Sequence, residues 1–81
     1  MELTKITDDL YRTEAIPTRK MTLQVVGDGV LTIWLSVDGE AYSQWKTQQV
    51  MGSAVAVLDL PLEGMMYAEV RTCNEPTIIL L

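Results

Sequence analysis

The sequence predicts a small all-β protein, an antiparallel β-sandwich or barrel of five to six strands with an extended N-terminal arm. Three observations carry that expectation. β-Branched and aromatic residues recur in short runs, turn residues separate the runs, and within most runs apolar residues alternate with polar ones. At 81 residues the chain supports one hydrophobic core and one domain. Its 48% hydrophobic content and mean hydropathy of +0.16 are too apolar for disorder and high for so short a chain. Some apolar surface is therefore expected to meet a partner.

The elements follow in order from Met21. Met21 to Val26 alternates Met, Leu and Val with Thr and Gln, as a strand with one buried face does. Gly27-Asp28-Gly29 is read as a hairpin turn, because glycine tolerates the positive φ that tight hairpins need. Val30 to Val37 then puts Leu31, Ile33, Leu35 and Val37 on one face, making it the expected heart of the core, with Thr32, Trp34 and Ser36 on the other. Asp38-Gly39 supplies the next turn. Ala41 to Val50 is more polar and fits an edge strand with Trp45 pointing inward.

Gly52-Ser53 is expected to break that run. Ala54 to Leu60 is apolar on both faces, as a buried or interface strand would be, and Pro61 should end it because proline cannot donate to a ladder. After Glu63-Gly64, Met65 to Thr72 alternates again; Asn74-Glu75-Pro76 is the last break, and Thr77 to Leu81 should be a closing strand locked into the sheet. Residues 1–20 form a separate segment, the arm, divided by Pro17 from a sandwich domain over 21–81. Leu3, Ile6 and Leu10 loosely fit helical spacing, but the threonine content favours an extended arm with a short strand near Asp9 to Thr13.

Composition narrows the function by exclusion. The net charge of -5 and pI near 4.4 argue against a nucleic-acid backbone as partner, since that affinity is built from clustered Lys and Arg. Four basic residues balance four acidic ones in residues 1–20, whereas the remainder carries Lys46 and Arg71 against seven acids. The arm is neutral and the body acidic. No basic n-region with an apolar h-region opens the sequence, and its longest apolar stretch is too short for a membrane span, so a soluble protein made in the cytoplasm is expected. Cys73 is the sole cysteine and there is no histidine. No intrachain disulfide can form, and a metal site would have to rely on carboxylates and one thiol.

The residues that could carry chemistry have plainer readings. Catalysis needs a nucleophile with a base, paired carboxylates or a metal, and a cysteine scheme here would rest on Cys73 beside a turn, where a buried or half-buried thiol is the simpler expectation. Asp28, Asp38 and Glu40 stand in glycine turns, where acids are favoured for backbone reasons, and Asp38-Gly39-Glu40 is too short for a dedicated calcium loop. Gly27-Asp28-Gly29 opens no helix and so holds no phosphate. Neither an enzyme nor a cofactor is expected. The aromatics Trp34, Tyr42 and Tyr67 could form a stacking face; Trp34 stands out of phase with the aliphatic side of its strand and looks outward in a one-sided sheet. Met65 and Met66 are adjacent, so one of them must leave the main core.

From Met21 to Leu81 the succession MTLQVV, GDG, VLTIWLSVDGEAYSQW, AVAVLDLP, MYAEVRT and PTIILL resembles the small β-sandwich virion proteins of tailed bacteriophages. The resemblance implies a capsid decoration, head-fibre or tail-associated protein located in the virion, bound to a viral capsid or tail protein and often a homo-oligomeric trimer. With it, the expected interface residues are Leu3, Ile6, Leu10, Tyr11 and Ile16 of the arm together with Trp34, Met65 and Tyr67. The rival expectation is a carbohydrate-binding module that stacks sugars on Trp34, Tyr42 and Tyr67.

Overall fold

The computed structural model describes residues 1–60 and 63–81. Its secondary structure is entirely β: β1 (Leu3–Thr7), β2 (Leu10–Thr13), β3 (Ile16–Pro17), β4 (Met21–Ser36), β5 (Ser43–Leu58), β6 (Met65–Arg71) and β7 (Thr77–Leu80). All belong to one antiparallel sheet with the order β1-β2-β6-β4-β5, in which β3 also pairs with β6 and β7 with β4.

The organising element is the β4–β5 hairpin, two strands of 16 residues each. Its register runs unbroken from Met21↔Leu58 to Ile33↔Lys46. On its other side β4 pairs first with β7, over Leu23 to Val26, and then with β6, over Val30 to Ser36. The exchange of partners falls at Gly27-Asp28-Gly29. Gly27 lies directly opposite Gly52, and the Gly52 amide donates to Asp28 Oδ1 at 2.7 Å. Both expected breaks are therefore internal to long strands: the Gly27-Asp28-Gly29 hairpin is not formed, and Gly52-Ser53 does not end a run. The two halves of the ribbon contribute to a single core, in which Met21, Leu23, Val25, Ala56, Leu58 and Ile78 join Leu31, Ile33, Leu35, Val50, Met66, Ala68 and Val70.

Glycine is required at this level for two reasons. Gly27 and Gly29 have φ of 145° and 154°, a region that L side chains rarely adopt. A Cβ on Gly29 would also lie 1.9 Å from the Arg71 carbonyl oxygen, where β6 ends against β4. No side chain fits there.

Residues 1–20 are not an arm. β1 and β2 form a hairpin, β2 pairs with β6 through Leu10↔Arg71 to Arg12↔Glu69, and Ile16–Pro17 continues along β6 opposite Met66 and Met65. Between those two stretches the Thr13 hydroxyl accepts the Ala68 amide at 3.0 Å, filling the place of a ladder bond. Period-2 burial explains the outcome: Tyr11, 8% exposed, and Thr13 face inward while Leu10 and Arg12 face outward. The strand expected near Asp9 to Thr13 is β2.

Other corrections are local. Val37 is 73% exposed, because β4 ends at Ser36, so the core heart stops at Leu35. Trp45, expected to point inward, is 37% exposed and outside the core: the register slips from Ile33↔Lys46 to Trp34↔Gln44, leaving Trp45 as the extra residue of a bulge. Cys73 is exposed in the β6–β7 loop. The expected role of Pro61 lies outside the described residues.

Gly29→Ala should cost on the order of 3–5 kcal/mol, strain and overpacking together, whereas Gly52→Ala, whose Cβ meets nothing within 4 Å but whose φ is 81°, should cost about 1–2 kcal/mol. Urea unfolding of the two variants gives the comparison, and equal costs would show that Arg71 yields freely to a side chain at Gly29.

Candidate interaction surface

The alternation that fills the core also defines what each strand shows outside. Where β4 pairs with β6, the outer row runs Leu10, Arg71, Val30, Gln49, then Arg12, Glu69, Thr32, Thr47, then Tyr67, Trp34, Gln44. This is a mixed aromatic and ionic surface. Trp34 and Tyr67 are nearly parallel, 16° between planes at 6.1 Å between ring centres, and Tyr42 tilts against Tyr67 at 4.7 Å. The Arg12 guanidinium lies 4.9 Å from the Tyr67 ring centre, while its Nε and Nη2 both donate to Glu69 Oε2, at 3.0 and 2.8 Å. Burial, and then the Glu69 carboxylate, raise the Tyr67 hydroxyl above its ordinary value. A hollow of about 290 Å³ opens between Leu10, Val30, Thr32, Trp34, Gln44, Glu69 and Arg71.

These rings are packed on one another and not spread as a platform. Tyr67 meets Trp34, Tyr42 and Arg12 together, and the three rings do not share a plane. The Trp34 indole N–H is buried and has no hydrogen-bond partner among the described residues, a cost of about 1–3 kcal/mol that packing must offset.

The loop after β4 is held by its own side chains. Asp38 Oδ1 accepts the Ser36 hydroxyl and the Glu40 and Ala41 amides at 2.8 to 3.0 Å, while Ser36 Oγ accepts the Gly39 amide at 2.9 Å. These donors, led by the Glu40 amide, lower the Asp38 carboxyl to about 2. The acids of this turn thus serve the backbone.

Where β4 pairs with β7, the outer face differs in kind. Thr22, Gln24 and Val26 of β4 stand beside Val57, Val55 and Ser53 of β5, with Ile79 and Thr77 of β7 on the other side. Leu81 donates its amide to Thr22 at 2.9 Å and lies next to this row. No residue of the face is charged, although the chain carries 17 charged residues, six basic and eleven acidic. Val55 is 54% exposed and Val57 61%, and Val26, Ile79 and Leu81 are exposed too. Five large aliphatic side chains are therefore held in water, four on β4, β5 and β7 and the fifth, Leu81, just past the end of β7.

The residues expected to form the interface are scattered. Leu3 and Ile16 are half-buried and pack against the core, Tyr11 is within it, and Leu10, Trp34, Met65 and Tyr67 are half-buried. Only Ile6 of β1 is exposed, and none lies on the uncharged face. Met66 is fully buried and Met65 half-buried, as adjacent strand residues must divide. The one sequence signal for the face was the two-sided apolarity of Ala54 to Leu60, which reports an uncovered strand as readily as a buried one. No family model, no curated protein and no solved structure matches this chain.

Two predictions follow from these contacts. Arg12→Ala leaves the Glu69 carboxylate, whose side chain is only 11% exposed, without its cation; because Arg12 is itself 40% exposed, the cost should be about 2 kcal/mol by urea unfolding, with Arg12→Lys recovering only part. No loss would mean that water replaces the guanidinium fully. The depressed Asp38 carboxyl contributes stability that is fully present above pH 3.8 and lost as pH falls through about 2. Asp38→Asn should flatten the stability–pH curve between those values, and an unchanged acid limb would place the dependence elsewhere.

Proposed function

We propose that this protein acts by assembly: a virion structural subunit, of the capsid decoration or cementing kind, that docks on a shell protein through the uncharged outer face of β4, β5 and β7. The observation that carries the reading is the exposure of Val26, Val55, Val57, Ile79 and Leu81 together on a face without one charged side chain. Exposed apolar patches on small domains mark contact sites, because scattered single residues are the normal condition and a contiguous set is not.

The reading places docking on this sheet face. β1 to β3 are built into the fold, and Tyr11 and Ile16 are already occupied in holding it together. The virion setting follows from the resemblance of Met21 to Leu81 to small phage sandwich proteins. The carbohydrate reading draws less support, since Tyr67 is engaged by two rings and a guanidinium.

Density-gradient sedimentation with particles of the phage that carries the coding sequence tests the proposal. The wild-type chain should co-migrate with the particles, and Val26→Asp with Ile79→Asp should abolish this while leaving the circular dichroism spectrum unchanged. A wild-type chain absent from the particles, or a double variant that still binds, would overturn it.

A further inference from the structure

Among the described residues four strands have a neighbour on one side only, and three of them are guarded. β3 is two residues long and ends in Pro17. β1 carries Lys5 at its centre, with a register slip between Lys5 and Thr7. β7 receives the Met1 amino group on the Ile78 carbonyl at 2.9 Å. Short length, proline, lysine, bulges and a covering segment are the devices by which proteins keep sheet edges from pairing with other chains.

β5 has them only at its start. Lys46 and the Trp45 bulge stand in its first residues, and from Thr47 to Leu58 the strand has neither charge nor proline. Beyond the level of Gly27 and Gly52, where β4 exchanges partners, Ser53–Leu58 continues along β4 as the outer strand of the β7-β4-β5 stretch, alternately apolar inside and out. A free row of backbone N–H and C=O groups calls for another strand as its complement.

We infer that this edge pairs with the same edge of a second copy, antiparallel, about a two-fold axis near Val55 and Ala56. The composition of β5 selects that axis. Its first half, Ser43 to Gln49, is polar and its second half apolar, so an axis at Gly52 would set Val57 against Thr47, whereas an axis at Val55 sets Val55 against itself and Ala54 against Ala56, and an axis at Ala56 sets Val55 against Val57 and Ala54 against Leu58. Both axes keep inner residues with inner and outer with outer, as strand parity demands. Within β5, pairing spans Gly52 to Leu58 for the axis at Val55 and Ala54 to Leu58 for the axis at Ala56, and forms about five to seven backbone hydrogen bonds. The product is a closed dimer, the form that an isologous edge generates, and not the trimer that the resemblance implies. It stands apart from the docking reading: the pair would present two uncharged faces side by side in one six-stranded sheet, and neither claim requires the other.

The test is solution mass by light scattering across micromolar to millimolar concentrations. The wild-type chain should reach twice its 9.1 kDa. Val55→Lys, which sets two ammonium groups together across the axis, should remain at monomer mass, while Ile79→Lys, on the same outer face but two strands from the edge, should dimerise like wild type. Val57→Lys replaces Val55→Lys if the latter loses its native circular dichroism. A monomeric wild type overturns the inference, as does a dimer that Ile79→Lys dissolves, which would mean face-to-face packing.

Discussion

The structure depends on one close approach, the end of β6 against Gly29 of β4. With the Arg71 carbonyl where a Cβ would be, β4 can exchange β7 for β6 as its partner without a break, and β5 follows it because Gly52 lies opposite Gly27. A single ribbon then supplies both halves of the core. This economy suits a chain of 81 residues, in which the fraction of surface that folding can bury is limited by size.

The same bend decides what remains uncovered. On one half of the ribbon β6 and β2 extend the outer face and the Arg12–Glu69–Tyr67 contacts occupy it; on the other half nothing of the described chain lies over Val26, Val55, Val57 and Ile79. The charges divide accordingly. Arg12, Glu69, Arg71 and Asp9 cluster with the aromatics, where Arg71 Nη1 meets Asp9 Oδ2 at 2.9 Å, and the uncharged face is left to aliphatic and small polar groups.

Much of the fold was legible in the sequence, and what was not has physical causes. The alternation in Met21 to Val26 and Leu31 to Leu35 named inner and outer residues correctly, and Trp34 faces outward as its phase required. The turn at Asp38-Gly39 was equally plain, since its hydrogen bonds are local. Gly27-Asp28-Gly29 misled because a glycine pair serves a hairpin and a bent strand alike; the choice depends on Arg71, 42 or more residues away in sequence and invisible to local pattern. Tyr11 and Ile16 were misplaced for a related reason: β2 and β3 are short and gain their order from β6, so neither reads strongly alone. The uncharged face was half visible. Ala54 to Leu60 declared apolar residues on both sides, but only the pairing with β4 and β7 shows that Val26 and Ile79 join them.

The central claim is that the second half of β5 is built to be covered by another chain. Amide hydrogen exchange followed at low and at high protein concentration addresses it most directly. The account predicts that protection within Ser53 to Leu58 rises with concentration while that of β1, whose edge is guarded by Lys5, does not. Exchange in β5 that is fast and independent of concentration would contradict it.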